Sequence, residues 1–365
     1  MQAPTTCWRF WRPIPAPTRH RSEPANPHTC TLAHCLSEDS LSLSNSTAHA
    51  TQADRQTGRA VLTWAKANSV YVALAALVLF NLAVTPGFSN PLAARSLLFE
   101  SAPVILIALG QNLAIATRGI DLSVGSVMAL SSATIAVFLD YGTGTAIFAG
   151  IAIGLICGIF NGALVSIVRI DPLISGLALL VAARGLAQAL VGGSRVNLPP
   201  SDAFDLLGTS SIGPIPVVIL IGIALALLIA LVVRRTTFGR YAILIGASRG
   251  AAFLAGIPVR RTLFMVYAAS GVLAGLAGVI ASSRLGASDP NYVGVNFELD
   301  AIAASVIGGT PLSGGRISIV GTVFGVLLLQ VLDASFIMNN ISFTYAQILK
   351  AVFIVVALYL QRQGG

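Results

Sequence analysis

Residues 213–233 read G-P-I-P-V-V-I-L-I-G-I-A-L-A-L-L-I-A-L-V-V, twenty-one residues without a charge, closed by Arg234 and Arg235. At 1.5 Å per residue a helix of this length covers about 30 Å, the thickness of a bilayer's hydrocarbon core. A run apolar on every side has no face to offer water, so its surroundings are lipid and other helices. The pattern repeats outward in both directions. Apolar runs separated by short polar breaks occupy 70–84, 97–117, 122–139, 144–168 and 172–191 before it, and 262–282, 299–309, 317–336 and 345–360 after it.

Composition extends the reading to the whole chain. Of 365 residues, 55% are apolar and 10% charged, with a mean hydropathy of +0.82, whereas an average soluble domain is about 25% charged. So few charges cannot solvate the outside of a 37.7 kDa globule, which excludes an ordinary water-soluble protein. Thirty-five glycines and 7% aromatics suit membrane helices, where small residues let backbones approach without a hydrophobic force between them. The expected fold is an all-α integral membrane protein, a polytopic bundle of about ten transmembrane helices. The eleven residues of 299–309 are short for a crossing, and read as a helix extended at its ends or broken inside a cavity.

Arginine placement orients the bundle. With ten crossings and a cytoplasmic N-terminus, the inner segments hold Arg118, Arg169, Arg234, Arg235, Arg240, Arg249, Arg260, Arg261, Arg316 and Arg362, and the outer ones only Arg95, Arg195 and Arg284. That asymmetry follows the positive-inside rule and puts both termini inside. The parity rests on counting 299–309. Two cations fall within runs, Arg184 and Lys350; each is expected to snorkel to the interface, to pair with a loop carboxylate such as Asp202, or to sit on a polar pathway.

Residues 1–66 are different material. They hold all four His, three of the four Cys and seven of the 22 Lys and Arg, and they are crowded with Pro, Ser and Thr. No apolar run reaches the length of about 7–15 residues that a secretory signal core needs. The segment reads as a disordered tail, or as residues upstream of the true translation start, followed by a transmembrane domain over 67–365. Cys30, His34 and Cys35, with His28 nearby, match no common zinc spacing. Cys157 alone remains beyond the tail, inside an apolar run, so no disulfide framework is expected.

The inventory of reactive side chains excludes several functions. No His follows His49, so neither H-E-x-x-H nor a Ser-His-Asp arrangement can form in the bundle. An ion-coupled carrier usually needs an acid at mid-membrane, and the Asp and Glu beyond the tail sit at run ends or in breaks, with Glu100 four residues into its run. The only lysines, Lys66 and Lys350, are each followed by Ala, so no phosphate-cradling G-x-x-x-x-G-K-[ST] exists. If this chain moves solute uphill, another chain supplies the energy.

Three segments between runs carry more information. Residues 234–261 contain six Arg and no acid, starting R-R-T-T-F-G-R-Y with A-A-F-L-A-G-I at the centre. This is too long for a turn, and reads either as a short helix against a soluble partner or as a basic loop that sets topology and touches anionic lipid. Residues 117–126 read T-R-G-I-D-L-S-V-G-S, where Asp121 and Ser123 can cap the next helix or contact a ligand. Residues 307–322, I-G-G-T-P-L-S-G-G-R-I-S-I-V-G-T, hold five glycines and read as an unwound connection.

In this order, and with N-G-A-L-V at 161–165, A-R-G-L-A at 183–187 and L-D-A-I-A-A at 299–304, these segments resemble the permease subunits of bacterial ABC importers for ribose and related monosaccharides. The resemblance spans residues 70 to 360. It implies an ABC importer permease fold in the bacterial inner membrane, two permease chains forming a homo- or heterodimeric pore, two cytoplasmic ATP-binding subunits and an extracytoplasmic sugar-binding protein. Membrane lipid is the remaining partner; no nucleic acid is expected. No cofactor is implied for this chain, ATP being bound by partners, and it is not itself an enzyme.

By the same resemblance, Arg240, Ala251, Ala252, Leu254 and Gly256 face the ATPase, and Asn112, Asp121, Ser123 and Asn161 belong to the substrate pathway, where weak hydrogen bonding to passing hydroxyls is what transport needs. Two departures stand out. The family commonly carries Asn and acidic residues where this chain has Ala247, Ser248, Arg249 and Gly250, and the tail has no expected counterpart. Nucleoside, autoinducer-type furanosyl and branched-chain amino acid cargoes fit a similar scaffold; an ion-coupled carrier or a non-transporting scaffold are the readings from other classes.

Overall fold

The computed structural model describes residues 68–362. The expectations for the tail, including Cys30, His34 and Cys35, lie outside the described residues.

Each apolar run is a helix. In chain order these are α1 (Ser69–Val84), α2 (Pro91–Ala116), α3 (Val124–Phe138), α4 (Thr143–Ala163), α5 (Pro172–Leu190), α6 (Asp202–Gly208), α7 (Val217–Arg235), α8 (Thr237–Ala247), α9 (Arg249–Leu254), α10 (Val259–Leu285), α11 (Phe297–Ile307), α12 (Ile319–Met338) and α13 (Phe343–Arg362). Local chemistry fixes several starts. Asn90 and Asp171 accept from the backbone N–H groups of Leu92 and Leu173 at 3.0 and 2.9 Å, and Pro91 and Pro172 occupy the first helical position of α2 and α5. After Ala163 the helix widens into a π-helical turn, Leu164–Val168, and stops at Arg169 in the left-handed region.

Among the described residues, seven helices are long and apolar enough to cross a membrane: α2, α3, α4, α5, α7, α10 and α12. The expectation is about ten; two further apolar helices among the described residues, Ser69–Val84 and Thr344–Val355, are shorter. The eleven-residue α11 is wedged between α2 and α12, with Ala301 and Ala304 wholly buried and the carbonyl of Ser305 accepting from Thr310. Protein covers most of its length past the first turn, where Leu299 is exposed, and a short helix is tolerated at membrane depth where protein encloses it. Hydropathy measures length and cannot register that enclosure.

α10 is the central helix, packed against α4, α2 and α3. Its closest approach is to α4: a Cβ added at Gly158 would lie 2.9 Å from Gly271 Cα, and one at Gly154 2.6 Å from Gly275 Cα. Glycine on both helices lets the backbones touch, so dispersion contacts replace the hydrophobic effect as the packing force. Strand structure among the described residues is confined to two short pairs, Val196–Asn197 with Ala287–Ser288 and Ser211–Ile212 with Ile215–Pro216.

Candidate functional site

The three informative segments converge in space on one residue that carried no sequence signal of its own, Arg118. Its backbone lies at φ +62°, uncommon for a residue with a Cβ. The side chain bridges the other two segments: Nε donates to the Ser313 carbonyl at 2.6 Å and Nη2 to the Ala247 carbonyl at 2.9 Å. The Gly315 N–H adds a bond to the Ala116 carbonyl at 2.9 Å. A side chain at Gly246 would overlap that same Ala116 oxygen, so the end of α8 can seat against the end of α2 only without a Cβ. Charge-assisted bonds to carbonyls are stronger than neutral ones, and here they tie the α8–α9 segment and the glycine-rich connection to the end of α2.

Three residues beyond Arg118, Asp121 is 3% exposed and gathers four helices. Oδ1 accepts from the Ser123 hydroxyl at 2.6 Å, the Ser123 N–H at 3.1 Å and Asn161 Nδ2 of α4 at 3.1 Å; Oδ2 accepts from the Ser270 hydroxyl of α10 at 3.0 Å. Asn161 Oδ1 in turn accepts from the Ser175 hydroxyl of α5. The capping expectation is therefore not met for α3. Asp121 accepts from the N–H of Ser123, while the Ser123 hydroxyl turns back to the carboxylate and leaves the N–H groups of α3 uncapped. Among the described residues Asp121 has no ion pair; neutral donors from α4, α10 and its own loop satisfy the charge.

Asn112 lies elsewhere. Its Nδ2 donates to the Thr310 hydroxyl at 2.8 Å and the Thr322 hydroxyl at 2.5 Å, binding α2 to both ends of the glycine-rich connection. Thr310 Oγ1 also accepts from the Ser318 N–H at 3.0 Å. The four expected pathway residues thus form two clusters: Asp121, Ser123 and Asn161 in one, Asn112 in the other, all buried. Asn112 Oδ1 has no partner, and neither polar atom of the neighbouring Gln111, fully buried, has one. A buried amide without partners is costly and rare. Gln111, Ser175, Ser270, Thr310 and Thr322 gave no signal in the sequence, because a single small polar residue in an apolar run looks the same whether it has a partner or not.

The expected partner-facing residues divide by direction. α9 presents Phe253 and Leu254 to the outside at 74% and 87% exposure, with Arg240, Arg249 and Arg260 exposed around it and Ala251 beside them. Ala252 points inward, packed with Ile245 and Leu263. Gly256, at φ +75°, ends the helix, and the following Ile257 N–H donates to the Ala252 carbonyl at 3.0 Å. The departure at 247–250 has a local function: the Ser248 hydroxyl accepts from the Ala251 N–H at 3.3 Å and caps α9, and the Ala247 carbonyl accepts from Arg118. Phe253 was not among the residues expected to face a partner.

Both intramembrane cations pair with groups other than Asp202. Arg184 of α5 donates to the carbonyls of Pro290, Val293 and Gly294 at 2.7, 2.7 and 3.0 Å. Lys350 of α13, 4% exposed, lies 2.8 Å from Asp300 of α11 and 2.8 Å from Asp333 of α12. Two of the acids expected at run ends are therefore held inside the bundle by the lysine.

Comparison with known proteins places these features. Residues 93–358 match the family described as branched-chain amino acid transport system / permease component. The chain is 34% identical over 320 residues to the galactofuranose transporter permease protein YtfT of Escherichia coli (strain K12), covering 85% of this chain and 94% of that protein. It is 37% identical over 296 residues to the ribose import permease protein RbsC of Bacillus subtilis (strain 168), covering 80% and 92%. Against the ribose import permease protein RbsC of Escherichia coli (strain K12) the identity is 34% over 307 residues, covering 82% and 95%. No solved structure matches the chain.

Proposed function

The chain belongs to the branched-chain amino acid transport system / permease component family, and from that premise we propose that this multi-pass membrane protein is the permease subunit of an ATP-driven monosaccharide importer. The relatives named for ribose and galactofuranose support a sugar of that kind over amino acid cargo. ATP is hydrolysed on partner subunits that dock on α8 and α9 through Phe253 and Leu254, with Arg240, Arg249 and Arg260 meeting acidic groups around them. The second permease chain completes the pore, and an external binding protein delivers the sugar. The α9 end faces the cytoplasm, in keeping with the arginine asymmetry.

The observation that carries the reading is the Arg118 bridge. A push on α9 reaches Ala247, and through Arg118 it reaches Ser313 and the end of α2. From there the two polar clusters lie one step away in each direction, Asp121 three residues along the chain and Asn112 through Thr310 and Ser318. Asp121, Ser123 and Asn161 act on the pathway by holding the ends of α3, α4 and α5 in register against the middle of α10. Gln111 and Asn112, with unpartnered amide atoms, are the groups that meet sugar hydroxyls when α2 separates from the glycine-rich connection.

Reconstitution tests this. The chain alone in liposomes is expected neither to hydrolyse ATP nor to accumulate ribose, and ribose uptake is expected to require ATP and both partner proteins. Leu254→Asp is expected to weaken ATPase docking by about 2 kcal/mol, as for an interface anchor, with membrane insertion unchanged. Uptake by the chain alone on an ion gradient would overturn the proposal.

A further inference from the structure

A cavity of about 300 Å³ opens at the Arg118 end of the bundle, between the first turn of α1, the last turns of α7 and the first turn of α12. Tyr71, Arg234, Arg316 and Ser318 supply its polar lining, and among the described residues no acidic side chain lines it. Neither Arg234 nor Arg316 has a hydrogen bond or ion pair among the described residues, whereas Arg118, Arg184 and Arg284 are all engaged. Ser318 does not cap α12 with its side chain, so the first N–H groups of α12 add a partial positive charge to the two guanidinium groups. A concave site with this charge and no acid selects an anion, and paired guanidinium groups select phosphate oxygens.

The surroundings identify the source of that phosphate. Leu227, Leu231 and Arg234 recur at helical spacing and share one face of α7; both leucines are exposed, at 64% and 56%. With Leu220 and Ile223, also exposed at 38% and 42%, an apolar strip of about 20 Å runs from the cavity along a membrane-crossing helix. We propose that this cavity seats the headgroup phosphate of an anionic phospholipid, with Arg234 and Arg316 donating to its oxygens and the acyl chains lying along α7. The inference is independent of the cargo and of the ATP-binding partners.

Native mass spectrometry of the purified full chain, exchanged into phosphatidylglycerol or phosphatidylcholine, tests it. Wild type is expected to retain phosphatidylglycerol selectively, and the double variant R234Q/R316Q to retain it at least about tenfold less, a loss of about 1.4 kcal/mol. Each single variant is expected to fall between, which keeps the test decisive should the double variant fold poorly. Arg235→Gln, one residue outside the cavity lining, is expected to behave as wild type. Unchanged retention in the arginine variants overturns the proposal, as does an equal loss in Arg235→Gln, which would indicate surface charge alone. Inorganic phosphate raising the Tm of delipidated chain as much as phosphatidylglycerol would overturn the lipid source. Loss of ATPase association with lipid retention intact would assign the two arginines to a protein partner instead.

Discussion

The bundle satisfies charge in two ways, and the contrast separates its two ends. Near α8 and α9, Asp121 and Arg118 are satisfied by hydroxyls, amides and backbone carbonyls, with no opposite charge in contact. Towards the other end of α12, Lys350 holds Asp300 and Asp333 in an ion triad. Neutral donors can be exchanged one at a time at modest cost, whereas charges in contact at low dielectric cannot separate without leaving an uncompensated ion. The first arrangement suits a junction that must rearrange in every transport cycle. The second suits a staple joining α11, α12 and α13.

Breaking the staple is among the largest expected effects. Lys350→Met leaves two partly buried carboxylates without their cation and is expected to lower stability by about 3 kcal/mol, the low end for a buried pair, read as thermal unfolding in detergent. Replacing all three charges with apolar residues of similar size (K350M/D300L/D333L) is expected to restore near wild-type stability with uptake retained. If the triple variant folds but does not transport, the triad is more than a staple.

At the junction, Asp121→Ala strands the donors of Ser123, Asn161 and Ser270 and is expected to cost about 3 kcal/mol. Asp121→Asn keeps an acceptor towards Ser123 and Asn161 and is expected to cost about 1 kcal/mol. Equal losses for the two would mean that the charge, not the acceptor geometry, matters. Next comes Arg118→Gln, which removes two charge-assisted bonds to carbonyls. It is expected to lower sugar transported per ATP hydrolysed by about tenfold, with the unfolding temperature moved little. A fall in stability without that split would reduce the bridge to a packing contact. Smallest is Ser175→Ala, expected to cost about 1 kcal/mol with Asn161 still held by Asp121; no change would place Ser175 outside the cluster's working set.

The position of every helix from α1 to α13 that an apolar run announced was legible in the sequence, because lipid demands long stretches without charge and polar breaks punctuate them. α11 shows the limit: its eleven residues carry the same hydropathy whether they cross a bilayer or lie sheathed by α2 and α12. The site divides along the same line. Asp121, Ser123 and Asn161 stood out as polar residues near glycine breaks, and they do share a cluster. Asn112 looked like their companion, but it bonds instead to Thr310 and Thr322, about two hundred positions further along the chain. Ser270, 149 residues from Asp121, had nothing local to mark it. The junction residue itself, Arg118, read only as a topology charge.

By itself the sequence determined that this chain lives in a membrane and which breaks between helices carry information. Those are properties of composition and spacing, set by what lipid excludes. Which breaks touch, which lysine finds which carboxylates, and which two arginines are left facing a cavity were decided only by tertiary structure. Such contacts depend on how helices far apart in the chain are rotated against one another, and an apolar run reads the same at every rotation.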